Sequence, residues 1–163
     1  MDVTLHPAQE SDRELIRNLF NMYQNDFAEY VSEFDSVDEN GYFRRDTVDQ
    51  ILPFGGGVFP YIIRSDGKNV GIVMFTDERY NDCNCDWCLE ELYLVRGARK
   101  KGIASSAVKL LMSAHPGKWC LHVFEKNAAA LAFWKKIILS YGQTPVESPS
   151  EYPSMSCFRF RVE

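Results

Sequence analysis

Nowhere in the sequence do about 18 apolar residues run together, so no membrane-spanning helix is expected. Met1 to Asp12 carries no apolar run behind a basic cluster, the mark of a secretory leader. These two absences make the cytoplasm the expected compartment. Internal repeats, low-complexity tracts and long linkers are missing as well. The 163 residues are therefore expected to form one domain, 1–163, large enough to bury a core without a disulfide or metal framework. Positive charge is the scarcer sign, 18 lysines and arginines against 23 acidic residues, for a net charge of −5. Nucleic acids and anionic membranes need a basic surface to displace counterions, so neither is an expected partner.

Cysteine is present in an odd number, Cys83, Cys85, Cys88, Cys120 and Cys157, which points to reduced thiols rather than a disulfide framework. Thiolates spaced as Cys83-x-Cys85-x-x-Cys88 can converge on zinc, but no second cysteine pair or adjacent histidine supplies a fourth ligand. The segment reads as small residues at a hairpin, and no metal is expected. The negative charge is uneven. Between Asn25 and Gln50 lie Asp26, Glu29, Glu33, Asp35, Asp38, Glu39, Asp46 and Asp49, against only Arg44 and Arg45. A solvated face explains such a run; the sharper reading is a pocket wall that attracts a cationic amine.

Along the chain, Val3 and Leu5 alternate with polar residues as in a strand. Ser11-Asp12-Arg13-Glu14 has capping-box spacing, and Leu15, Ile16, Leu19, Phe20, Tyr23 and Phe27 then recur at helical period. Thr47 to Leu52 adds a short helix. Phe54-Gly55-Gly56-Gly57-Val58 reads as a loop, with no helix behind it to favour phosphate cradling. Tyr61 to Arg64, the turn Ser65-Asp66-Gly67-Lys68 and Val70 to Phe75 form a hairpin, and Cys88 to Val95 a further strand. Ile103 to Ala114 is helical and is ended by Pro116-Gly117. Trp119 to Phe124 is a strand, Asn127 to Ile138 a helix, and Met155 to Val162 a strand alternating Phe158, Phe160 and Val162 with Arg159 and Arg161. This order gives an α/β fold, a mixed sheet with helices on its faces.

One junction carries chemistry. After the strand ending near Val95 come Arg99-Lys100-Lys101-Gly102-Ile103-Ala104-Ser105, where a helix opens. A helix start leaves backbone N–H groups unpaired and carries partial positive charge, which suits a pyrophosphate. Gly102 admits a ligand to the main chain, Ala104 keeps the next turn bare, Ser105 adds a hydroxyl, and three basic residues reverse the local charge. A P-loop would need lysine where Ile103 stands, and the three glycines of a dinucleotide fingerprint are absent.

Arg99-x-x-Gly102-x-Ala104, the hydrophobic strand Leu92-Tyr93-Leu94 before it, and Asn127-x-x-Ala130-x-x-x-Trp134-x-Lys136 after it resemble the motifs of the GNAT superfamily of N-acetyltransferases. The resemblance implies a mostly antiparallel, mixed sheet of six or seven strands flanked by about four helices, with acetyl-CoA as co-substrate. It implies that two central strands splay and that the pantetheine arm lies along the backbone of Leu92, Tyr93 and Leu94, the Leu94 N–H polarising the thioester. Arg99 to Ala104, with Ser105, would hold the pyrophosphate. Asn127 would contact the pantetheine arm, cap a helix, or both.

In such enzymes an amine attacks the thioester directly, and a carboxylate helps remove its proton. Glu90 and Glu91 are the candidates, pointing to opposite faces unless a bulge intervenes. Glu91, on the face of Tyr93, is favoured. Where relatives have an acidic tyrosine this chain has Trp134, whose indole has no proton to give at useful pH. Trp134 is expected as a wall beside the cofactor or as core, with Tyr93, Tyr141 or water as the acid. Cys120 and His122 are expected in core or surface roles. The expected acceptor is a small cationic primary amine. A protein lysine or amino terminus, and a non-catalytic acyl-CoA-binding module, are the alternatives; a homodimer is an allowed state.

Overall fold

A computed structural model describes residues 1–43, 55–81 and 83–163. The described strands form one seven-stranded sheet in the order β1-β2-β3-β4-β5-β7-β6. Its members are β1 (Val3–Pro7), β2 (Val58–Ser65), β3 (Lys68–Asp77), β4 (Trp87–Leu94), β5 (Gly117–Phe124), β6 (Glu147–Pro149) and β7 (Met155–Val162). Every neighbouring pair is antiparallel except β4 and β5. Three α-helices lie among the described residues, α1 (Arg13–Phe27), α2 (Ile103–Ala114) and α3 (Ala128–Ser140). About four were expected; the short helix expected at Thr47 to Leu52 falls outside the described residues.

Each element follows from local chemistry. The β2–β3 hairpin turns at Asp66 and Gly67, both with positive φ (48° and 76°), as a tight turn joining twisted strands requires. The capping pair sits two residues earlier than the Ser11 to Glu14 spacing suggests, at Gln9 and Asp12, and α1 itself begins at Arg13. A short turn at Glu10–Asp12 precedes the helix, and the Asp12 carboxylate accepts the Gln9 N–H at 2.9 Å. Asn127 caps α3, its side-chain oxygen accepting the Ala130 N–H at 3.0 Å.

Alternation along β3 divides the core between the two sheet faces. Val73 and Phe75 pack with α2 and α3 around Ala107, Leu111, Trp119 and Phe158. Ile72 and Met74 pack with α1 through Ile16, Leu19 and Phe20. Trp119 is fully buried, and its indole N–H is satisfied by the His115 carbonyl at 2.9 Å. On β7, Phe158, Phe160 and Val162 are buried while Arg159 and Arg161 are exposed, the alternation expected of that strand. No helix among the described residues is long and apolar enough to cross a membrane.

Candidate active site

The parallel pairing of β4 with β5 covers only Trp87, Cys88 and Leu89 against Trp119, Cys120 and Leu121. Beyond Leu89 the two strands separate. On its other side β4 stays paired to β3, but Met74 faces Glu91 while Phe75 faces Leu89, so Glu90 is an extra residue. This bulge resets the alternation. Trp87 and Leu89 precede it on the face toward α2 and α3, and Leu92 and Leu94 follow it on that same face. Tyr93 packs on the α1 face. The bulge therefore turns β4 out of register with β5 and opens a cleft.

A cavity of about 420 Å³ occupies that opening. Its wall includes Glu90, Glu91, Leu92 and Leu94 from β4, Lys100 and Gly102 to Ser105 from the following turn, and His122 to Phe124 from β5. Asn127, Ala130, Phe133 and Trp134 close it from α3, Tyr23 and Phe27 from α1. The edge of β4 that faces the opening is polar backbone. The Val95 N–H bonds to Val70 on β3 at 2.9 Å. By alternation the Leu94 N–H and carbonyl face the other way, and Arg99 Nε donates to that carbonyl at 2.8 Å.

At the turn, Lys100 and Gly102 both adopt left-handed φ (60° and 80°). The first α2 bond described runs from the Ser106 N–H to the Gly102 carbonyl at 3.0 Å. The N–H groups of Ile103, Ala104 and Ser105 thus precede the helical ladder, and these three residues line the cavity. A Cβ at Gly102 would meet only Met1 Cε at 3.9 Å, so the glycine answers to backbone conformation rather than crowding.

Arg99 lines the cavity and is also engaged locally. Its backbone N–H donates to Arg96 at 3.2 Å, and its guanidinium bonds the Leu94 carbonyl and Asp26 while lying over the Tyr93 ring. It braces the turn at the cavity wall. Lys101 is exposed and off the cavity wall, because the left-handed Lys100 swings the chain outward. Tyr93 is also off the wall, since the bulge sends its side chain toward α1.

The acidic segment is placed differently from a charged pocket wall. Asp26 pairs with Arg96 at 2.6 Å and with Arg99. Burial alone would raise its carboxyl, but the hydrogen bonds from the two arginines win and hold it below its ordinary value. Glu29, Glu33, Asp35, Asp38 and Glu39 are exposed and off the cavity wall, and Asp46 and Asp49 lie outside the described residues.

The two glutamates have separate environments. Glu90 is exposed, and its carboxylate accepts the Thr76 hydroxyl at 2.7 Å. Glu91 is half-buried, and burial pushes its carboxyl up to about 7, against the lowering effect of a hydrogen bond from Tyr23 and with a smaller push from Glu90. Tyr23 was legible only as part of the apolar stripe of α1. Its phenol is held well above its ordinary value, by burial first and then by Glu91.

Trp134 is 5% exposed, packs edge-on to Phe133 and reaches the cavity, so it is both wall and core. Tyr141 does not reach it; its hydroxyl is buried beside Phe160. His122 was expected in a core or surface role, yet it lines the cavity, with Nδ1 2.8 Å from the Ser150 hydroxyl and burial lowering its pKa.

The family model described as the acetyltransferase (GNAT) family matches residues 16–138. No curated protein sequence matches the chain. Among solved structures, an acetyltransferase from Thermus thermophilus is 14% identical with a TM-score of 0.69, over 99% of this chain and 98% of that one. A histone acetyltransferase HPA2 and related acetyltransferase from Corynebacterium glutamicum is 18% identical with a TM-score of 0.70, over 98% and 96%. A PaiA N-acetyltransferase from Thermoplasma acidophilum, solved with coenzyme A, is 12% identical with a TM-score of 0.66, over 99% and 100%.

Proposed function

The chain belongs to the acetyltransferase (GNAT) family, and we propose that it transfers the acetyl group of acetyl-CoA to a small cationic primary amine by direct attack. The observation that carries this reading is the cleft. One sheet edge, from Glu91 to Leu94, and one helix start, from Gly102 to Ser105, face a single cavity. A ligand with an amide-bearing arm and a pyrophosphate matches those two features together.

Acetyl-CoA supplies an activated thioester carbonyl. The chain's own groups do the rest. The N–H groups of Ile103, Ala104 and Ser105 take phosphate oxygens, with Lys100 adding charge. Leu92 and Leu94 pair with the pantetheine arm as an added strand would, and the Leu94 N–H polarises the thioester oxygen. Glu91 accepts the amine proton, directly or through water. A carboxylate near 7 is a base suited to neutral pH, and Tyr23 orients it. Rings of Tyr23, Phe27 and Phe124 beside Glu90 and Glu91 give the acceptor end an aromatic and anionic lining, which favours a cation.

Incubating the protein with acetyl-CoA and a panel of amines, with chromatographic detection of free CoA, tests the reading. Release that depends on a cationic amine is expected. Tight acetyl-CoA binding with no release for any amine would establish a binding module instead.

A further inference from the structure

Four of the five cysteines meet on the face of the sheet where β4 and β5 are still joined. Cys88 and Cys120 are direct register partners across the parallel pair. Cys83 and Cys85 come from the connection between β3 and β4, with Asn84 between them in the left-handed region (φ 57°) tightening the loop. We propose that Cys83, Cys85, Cys88 and Cys120 form a thiolate site for a soft divalent cation of the zinc class, clamping the β3–β4 connection to β5 at the closed end of the cleft.

The sulfur atoms of Cys83, Cys88 and Cys120 all lie within 4.8 Å of one another. Zinc–sulfur bonds of about 2.3 Å in a tetrahedron set sulfurs about 3.8 Å apart, so the three need shifts of about 1 Å in their mutual separations. Cys85 belongs to the same buried cluster, and its thiol interacts with those of Cys83 and Cys120. Its sulfur lies outside the 4.8 Å group of the other three, so it becomes the fourth ligand by turning inward when the cation binds. The Cys83 and Cys120 sulfurs approach to 2.6 Å, closer than two unbonded thiols rest against each other. A shared cation resolves that crowding.

The donors are sulfur alone, a set that favours zinc or another soft ion over magnesium or calcium. Binding replaces four S–H bonds with four metal–sulfur bonds and releases four protons, leaving a complex of net charge −2. Arg159 on β7 interacts with Cys83, Cys85 and Cys120 and offsets that charge. The thiols must lose their protons to bind, so protons and cation compete and affinity should rise with pH.

The consequence is mechanical. The last β4–β5 pair is Leu89 with Leu121, one residue past Cys88 and Cys120. A cation there anchors the two strands immediately before they diverge.

The test is cobalt titration of the reduced full-length protein. One equivalent should produce thiolate-to-cobalt charge-transfer absorption and tetrahedral d–d bands, both displaced by zinc. Zinc should also shield Cys83, the half-buried thiol of the cluster, from alkylation. The bands should vanish in Cys88→Ser/Cys120→Ser and persist in Cys157→Ser, which lies outside the cluster. Because the double variant can misfold, the wild-type alkylation pattern stands as an independent readout. Absence of the charge-transfer band in folded, reduced wild type overturns the proposal. So does its survival in the folded double variant, or a Cys83–Cys120 disulfide in protein kept under reductant.

Discussion

Replacing Glu91 with glutamine should make the protein more stable and less active, and the two effects should share one pH dependence. Raising a carboxyl from 4.5 to about 7 costs its charged form ~3 kcal/mol in the folded state. The sign follows from the two protonation states. Below about 4.5 the group is neutral folded or unfolded, and no penalty exists. Between 4.5 and about 7 the unfolded chain ionises first, so stability is lost as pH rises, and above 7 the loss is complete. Glutamine cannot ionise and keeps an acceptor for Tyr23. Glu91 retains some exposure, so screening reduces the gain at pH 8 to ~1–3 kcal/mol. Urea denaturation of both proteins at pH 4.5 and pH 8 reads this difference. In parallel, wild-type kcat should climb through about pH 7, and Glu91→Gln should run flat and ~10²–10⁴-fold lower. Equal stability increments at both pH values, with kcat unchanged, would refute a buried carboxylate base at this position.

Gly102→Glu forces a side chain into left-handed backbone at φ 80° and sets a negative charge at the helix start. Calorimetry should show acetyl-CoA affinity weakened by ~2–3 kcal/mol, with circular dichroism confirming the fold. Asp26→Asn frees Arg96 and Arg99; with Arg96 75% exposed, the loss should be only ~0.5–1 kcal/mol. A carboxyl held below its ordinary 3.8 stabilises above that value, so the melting temperatures of variant and wild type should converge as pH falls below it. Trp134→Phe should cost ~1–3 kcal/mol in urea and leave the shape of the kcat–pH profile intact, because no titratable group is removed.

The parts of the site that were legible in the sequence are those set by local rules. A helix start announced by Gly102, a cap at Asn127 and a hydrophobic strand before the turn need only near neighbours, and the structure places them on one cavity. The parts that were hidden depend on register or on distant packing. Whether Glu91 shares a face with Leu89 is decided by an extra residue opposite Met74 and Phe75, which no spacing within β4 reveals. Tyr23 fits the apolar period of α1 equally well as core or as partner to a carboxylate. Asp26 sat in an acidic run that suggested recruitment of a cation. Its cations turned out to be the two arginines of the turn, one of which, Arg99, the motif had assigned to phosphate.

The same distinction explains the cysteines and joins them to the cleft. A search for a fourth ligand within the Cys83 to Cys88 segment fails because the ligand arrives across the sheet, on β5. It arrives there because β4 and β5 run parallel, and parallel strands need a long crossover, here through α2, that separates partners widely in sequence. That pairing lasts three residues. Its closed end brings Cys88 beside Cys120; its open end exposes the β4 edge from Glu91 to Leu94. Lengthening the pairing past Leu121 would close the slot, and losing it at Cys88 would release the strand that carries Glu91. The short parallel pair therefore has to be stiff without being long. Three hydrogen-bonded residues alone are a weak clamp, and four converging thiols at that end are where a stronger one would act.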